Sequence, residues 1–313
     1  MKNKIAIIDM GTNTFHLLLA EPEGTRFNIT RRDRLAVKMG MGGINQGVIT
    51  EAGIHRALLA MRSFKNTADD HGVKKIYAYG TSALRNASNQ REVTRRIKAL
   101  TDIEVNIIDG LQEADFIYHG VKAALDMEKE KSLIIDIGGG SVEFIIADNH
   151  EIFWKESIEI GAQRLLEEFQ QNDPITPEEM ASLDQHFKES LGNLFVALQQ
   201  YATVTMVGSS GTFDTLSDIF CIRHDIHKSP EEAETPLSIP GFHEIYLDLI
   251  HKPRTERLLI PGMIEMRVDM IVVACCLIRY ILEQHPFTRI RVSTYSLKEG
   301  VLATLINEMK LMV

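Results

Sequence analysis

A chain of 313 residues, 44% hydrophobic and 25% charged, is long enough for two cores and too apolar for a disordered polymer. Its net charge of -9 excludes a general nucleic-acid binder coated in positive charge. The longest apolar run, Met270 to Leu282, is interrupted by Arg279 and falls short of the ~20 residues that cross a bilayer, so no membrane partner is expected.

Lys2 and Lys4 precede an apolar stretch, but Asp9 breaks it and no small-residue cleavage site follows, which argues against a signal peptide. Three cysteines, with Cys275 and Cys276 adjacent in one apolar segment, form no disulfide framework and read as core residues in a reducing compartment, the cytoplasm.

In chain order, Ile5 to Ile8 ends at Asp9 and a Gly-Thr-Asn-Thr turn, and Phe15 to Ala20 and Phe27 to Thr30 complete a three-strand meander. A helix follows from Thr50, a predicted N-cap, to Asp70, then a strand at Lys75 to Tyr79 and a helix over Arg91 to Leu100. A strand at Glu104 to Ile108 and a helix from Gln112 to Leu125 end this half.

The order then restarts. Leu133 to Ile135 ends at Asp136 and a Gly-rich turn, and Val142 to Ala147 and Ile152 to Ile158 make a second meander. One long helix is predicted from Thr176 to Gln200, a strand at Thr203 to Val207, a helix after Gly211, and a loop from His227 to Gly241. A helix from Ile264 to Glu283, a strand at Arg289 to Val292 and a helix from Leu297 close the chain. The order βββαβαβα thus occurs twice, and the turns Asp9-Met10-Gly11 and Asp136-Ile137-Gly138 lie 127 residues apart. A repeat on this scale is two α/β domains, with the boundary near Lys122 to Lys131.

Two hairpins of the form strand, Asp-x-Gly, small polar residues, strand suit a phosphate clamp. Glycine lets backbone approach an anion, and successive N–H groups make an anion-binding nest. Gly11, Thr12, Asn13 and Thr14 supply donors in the first, and Gly138, Gly139, Gly140 and Ser141 in the second. The acidic Asp9 and Asp136 make sense there if a divalent cation bridges protein and phosphate.

Glu143, two residues beyond Ser141, shares its strand face. Glu113, at a strand-to-helix turn, is either a helix-dipole carboxylate or a general base that orients a water. Gly208, Ser209, Ser210, Gly211 and Thr212 form a second candidate anion or nucleotide site at a helix start. Basic surface is offered by Arg31, Arg32, Arg34 and Lys38 and by Arg91, Arg95, Arg96 and Lys98, or these are ordinary solvated faces. There is no HExxH or CxxC pairing to suggest zinc, and Trp154 reads as packing.

The stretches Ile5 to Leu18 and Ile134-Ile-Asp-Ile-Gly-Gly-Gly-Ser-Val-Glu-Phe-Ile145 resemble the signature hairpins of the exopolyphosphatase and guanosine pentaphosphate phosphohydrolase (Ppx/GppA) family. The likeness continues through Gly80-Thr-Ser-Ala-Leu-Arg-Asn-Ala87, Gly110-Leu-Gln-Glu-Ala114, Gly208-Ser-Ser-Gly-Thr212, Ile260-Pro-Gly262 with Arg267 and Asp269, and Ser296-Leu-Lys-Glu-Gly300. The resemblance implies two actin-like (ribonuclease H-like) α/β domains, each a mixed five-stranded sheet with flanking helices, around a cleft. It divides the chain into 1–125, joined by the C-terminal helix 297–313, and 126–296.

It also implies Glu113 as catalytic base, Asp136 and Glu143 as magnesium-linked carboxylates with Asp9 beside them, both Gly-rich turns as phosphate clamps, and Arg85 near the substrate phosphates. The implied reaction is Mg²⁺-dependent (or other divalent cation) hydrolysis of inorganic polyphosphate, with water as co-substrate. Guanosine pentaphosphate is the alternative substrate. A sugar-kinase-like enzyme and a non-enzymatic alarmone or polyphosphate sensor rank lower, and a homodimer is left open. Asp115, Met41 and Lys298 depart from residues frequent in the family, and the longer members' helical C-terminal extension has no counterpart in this sequence.

Overall fold

Alternating side chains in the first meander build the sheet that carries the first turn. Ala6, Ile8 and Met10 of β1 (Ile5–Met10) and Phe15, Leu17 and Leu19 of β2 (Thr14–Glu23) point to one side, where they pack with Ile54, Phe64, Val93 and Ile97. The computed structural model describes residues 4–23, 26–127, 130–229 and 231–311. It divides into two units, Met1–Gly120 with Leu297–Val313, and Val121–Ser296. Glu128 and Lys129, within the expected boundary, lie outside the described residues, as do Pro230 of the expected loop and residues 312 and 313 of the expected helix 297–313.

The first unit continues with β3 (Arg26–Ala36), α1 (Glu51–Asp70), β4 (Lys75–Gly80), α2 (Ser82–Arg85), α3 (Gln90–Thr101), β5 (Val105–Ile107) and α4 (Gly110–Ala124). Thr50 caps α1 by accepting from Gly53 N–H at 3.1 Å. The sheet order is β3-β2-β1-β4-β5, with β1 antiparallel to β2 and parallel to β4. The second sheet face, which carries Asp9 and Tyr79, meets α4 through Tyr79 and Phe116, whose rings are 5.4 Å apart. The C-terminal helix returns to the same face, where Glu299 meets Arg32 at 3.4 Å. Gly300 lies so close to α4 that a Cβ there would fall 1.7 Å from the Phe116 carbonyl oxygen.

The second unit contains β6 (Ser132–Ile137), β7 (Val142–Ala147), β8 (Ile152–Ile158), α5 (Ala162–Phe169), α6 (Pro177–Ser190), α7 (Gly192–Tyr201), β9 (Thr205–Ser209) and α8 (Ser210–Arg223). It ends with β10 (Glu234–Thr235), α9 (Ile239–His251), α10 (Arg254–Arg257), α11 (Ile271–Gln284) and β11 (Arg289–Ser293), and α12 (Leu297–Leu311) then belongs to the first unit. Strand order is β10-β11-β9-β6-β7-β8. This sheet has six strands instead of the expected five, because Glu234 and Thr235 pair with β11 and the Arg291 guanidinium holds the Glu234 carboxylate at 2.6 and 2.7 Å.

Two helix expectations change. The predicted Thr176 to Gln200 helix is two helices that meet at Leu191, before Gly192. The helix expected from Ile264 begins only at Ile271, because side chains of α10 hold the segment before it as turns. Arg254 binds the Asp269 carboxylate at 2.8 Å, and Arg257 Nε–H donates to the Val268 carbonyl at 3.2 Å. Helices α2, α5, α9 and α10 are not among the expected elements. Cys221, Cys275 and Cys276 are buried free thiols, and burial pushes Cys276 up to about 12. Among the described residues no helix is long and apolar enough to cross a membrane.

Candidate active site

The two turns are built alike. Gly11 N–H donates to Thr14 O at 3.2 Å, and Gly138 N–H donates to Ser141 O at 3.0 Å. A Cβ on either glycine would sit 2.9 Å from the carbonyl oxygen it binds. Glycine is therefore required by close approach at both positions.

The segment after each third strand then grips the same two carbonyls. In the first unit Gly40 N–H binds Thr12 O at 3.0 Å, and Val37 and Lys38 N–H bind Asn13 O at 2.8 Å each. In the second unit Gln163 N–H binds Gly139 O at 2.8 Å, while Gly161 N–H and Arg164 Nε–H bind Gly140 O at 3.2 and 2.8 Å. Arg56 stiffens the first gripping segment by donating to Val37 O and Lys38 O at 2.6 and 2.5 Å. Each turn is thus fixed on its carbonyl side, which is what a pre-organised amide nest needs.

Behind the turns, strand register lays one polar row across each sheet. In the first unit the row is Arg34, His16, Asp9, Tyr79 and Asn106. In the second it is Ser157, Glu143, Asp136, Ser209 and Ser293.

In the second row, Ser209 and Ser210 hydroxyls donate to Asp136 Oδ2 at 3.0 and 2.6 Å. Ser141 and Ser157 hydroxyls both donate to Glu143 Oε1 at 2.7 Å. Asp136 and Glu143 are buried and directly opposite across β6 and β7. Like charges so placed repel.

A divalent ion held between them would offset that repulsion, and Mg²⁺ commonly uses one or two carboxylates while keeping several waters. Among the described residues no group of three or more His, Cys, Asp or Glu side chains is placed to hold a metal ion. Asp9 has a different neighbour, His16.

The first unit also joins Arg85 to Glu113. Arg85 Nη1–H donates to Glu113 Oε2 at 2.9 Å and to Ile108 O at 3.1 Å. Glu113 is 8% exposed in the first turn of α4. The Asp109 side chain already accepts from Gln112 N–H there at 2.8 Å, so a helix-start carboxylate is present without Glu113.

The segment Gly208 to Thr212 is occupied by internal contacts. A Cβ on Gly208 would lie 2.0 Å from the Phe213 ring, and one on Gly211 would lie 2.0 Å from the Arg267 guanidinium. Ser209 and Ser210 turn to Asp136, and Thr212 is buried. Ser210 does this from a left-handed backbone, φ 69°.

Of the basic stretches, Arg96 pairs with Glu51 at 2.9 Å, Lys98 with Glu104 at 3.4 Å and Arg31 with Asp33 at 2.6 Å, while Arg91 and Arg95 are exposed. Buried Lys298 pairs with Glu299 at 3.2 Å. Sequence reasoning passed over Ser157, Gly161, Arg164 and Glu299. Only Gly161 and Glu299 left a signal, as a glycine just after the second meander and a member of the Ser296 to Gly300 motif.

A profile of the Ppx/GppA phosphatase family matches residues 18–309. The chain belongs to that family. It is 43% identical to an exopolyphosphatase of Cytophaga hutchinsonii, whose crystal structure superposes with a TM-score of 0.95 over 97% of this chain and 98% of that one. A Haemophilus influenzae protein assigned as a candidate exopolyphosphatase is 28% identical over 96% of this chain and 91% of its own length. A guanosine-5'-triphosphate,3'-diphosphate pyrophosphatase of Photobacterium profundum is 28% identical over 68% of this chain and 43% of its own. The two mixed sheets with flanking helices are the two-domain α/β fold of these Ppx/GppA relatives.

Proposed function

We propose that this protein is a cytoplasmic, divalent-cation-dependent exopolyphosphatase that releases terminal orthophosphate from inorganic polyphosphate. The observation that carries the reading is Glu113, a buried carboxylate held at 2.9 Å by Arg85 at the start of α4. In this reading a water attacks the terminal phosphorus, its proton passes to Glu113, and the bond from phosphorus to the bridging oxygen breaks. The products are orthophosphate and a chain one unit shorter. Arg85 exchanges its contact with Glu113 for a phosphate oxygen, which frees the carboxylate as substrate enters.

Within each unit the turn amides, Gly11 to Thr14 in the first and Gly138 to Ser141 in the second, are donors suited to phosphate oxygens. Asp136 and Glu143 are the residues that would hold Mg²⁺, and the ion would neutralise charge on the phosphate oxygens. The 43% identity to the Cytophaga hutchinsonii exopolyphosphatase over nearly both whole chains supports polyphosphate as substrate. The Photobacterium profundum relative supports a second reading, removal of the 5′ terminal phosphate of guanosine pentaphosphate by the same chemistry.

Phosphate release measured in parallel from polyphosphate, guanosine pentaphosphate and ATP, with Mg²⁺ and with chelator, tests both. The expected result is Mg²⁺-dependent release that is fastest from polyphosphate. Faster release from guanosine pentaphosphate favours the second reading, and release from none overturns both.

A further inference from the structure

The two polar rows match position for position, with one difference in chemical sense. Asp9 corresponds to Asp136, but the place of Glu143 is taken by His16, and beyond it Arg34 stands where the second unit has Ser157. A carboxylate only accepts hydrogen bonds, whereas an imidazole presents an N–H donor in either protonation state. The second unit therefore has two acceptors side by side, suited to a cation. The first has one acceptor flanked by donors, suited to an anion.

Position supports the same division. In the second unit the side chain at this place lies at the turn itself, since Glu143 is 2.7 Å from the Ser141 hydroxyl. His16 follows Thr14 by the same two residues on the same face of β2, and it is partly exposed. Charged groups on this face include Asp9 from β1, Arg32 and Arg34 from β3, Lys75 from β4, and Lys298 and Glu299 from α12.

We infer that His16 is a phosphate-binding residue: its ring N–H donates to an oxygen of the phosphate chain held at the Gly11 to Thr14 turn, and Asp9 orients the ring instead of serving as a third metal carboxylate. Both turns keep their amides for phosphate, and the side chains behind them have divided the remaining work, Asp136 and Glu143 facing a cation and His16 an anion. This inference rests on the phosphohydrolase reading above.

The test compares the parent with His16→Gln, which keeps an N–H donor, His16→Leu, which removes it, and His16→Glu, which restores the acceptor pair of the second unit. KM and kcat for polyphosphate are measured, together with calorimetric binding of tripolyphosphate and the unfolding midpoint. His16→Leu and His16→Glu are expected to raise KM and weaken tripolyphosphate binding by about tenfold or more, the size of one lost hydrogen bond to a charged group. His16→Gln is expected to stay within about threefold.

Parent-like KM and binding in folded His16→Leu overturn the inference, as does His16→Gln impaired as much as His16→Glu. If His16→Glu does not fold, the Leu and Gln proteins still decide. Failure of the parent to hydrolyse any phosphate chain would instead strike the phosphohydrolase reading, and tripolyphosphate binding would still report on His16.

Discussion

Asp136 and Glu143 face each other across neighbouring antiparallel strands, both buried, and serine hydroxyls donate to each of them. Two ionised carboxylates in this relation destabilise the strand pair unless a cation joins them. Mg²⁺ should therefore raise the unfolding midpoint of the parent, by about 2.7 kcal/mol of stability at a hundredfold excess over its dissociation constant. Glu143→Gln should be at least as stable as the parent in chelator and gain little from Mg²⁺. Thermal unfolding of both proteins with and without the ion checks this, and an equal Mg²⁺ response in the two contradicts it.

Ser210 reaches Asp136 from a left-handed backbone. Ser210→Ala loses the hydrogen bond and keeps the strain, whereas Ser210→Gly loses the bond and relieves roughly 1 kcal/mol of strain. The glycine variant should be the more stable by about that amount in denaturant unfolding. Equal stability would mean that the backbone at this position is not strained.

Gly161 is the tightest contact on the second turn, with a Cβ there falling 2.4 Å from backbone atoms of Gly139 and Gly140. Backbone cannot step aside as a side-chain tip does, so Gly161→Ala should displace the turn. KM for polyphosphate should rise by about tenfold, the loss of roughly one well-placed hydrogen bond to a charged group. Steady-state phosphate release measures it, and an unchanged KM would remove the Gly138 to Ser141 turn from substrate binding.

Much of this was legible because the duplicated meander states its register in sequence. Asp9 and Asp136 end apolar runs of the same period, and the glycines two residues later mark both turns. What stayed hidden depended on partners distant in sequence. Pro240 and Gly241 read as loop punctuation, yet Pro240 lies in the first turn of α9, Ser238 caps that helix, and Gly241 is bare because a Cβ would meet the Phe220 ring at 2.3 Å. Gly208 and Gly211 read as an anion loop, but their missing side chains make room for Phe213 and Arg267. The ion pair of Arg85 with Glu113 joins residues from two separate motifs, and only the fold brings them together.

Glu113→Gln gives the most direct test of the proposed mechanism, because it keeps the shape of the side chain while removing the group that accepts the proton of water. Loss of a general base typically lowers turnover by ~10² to 10⁴. The measurement is single-turnover phosphate release from polyphosphate in Mg²⁺, alongside calorimetric binding of tripolyphosphate to the same protein. The expected result is a fall in rate within that range with binding retained, and turnover within a few-fold of the parent would show that Glu113 is not the base.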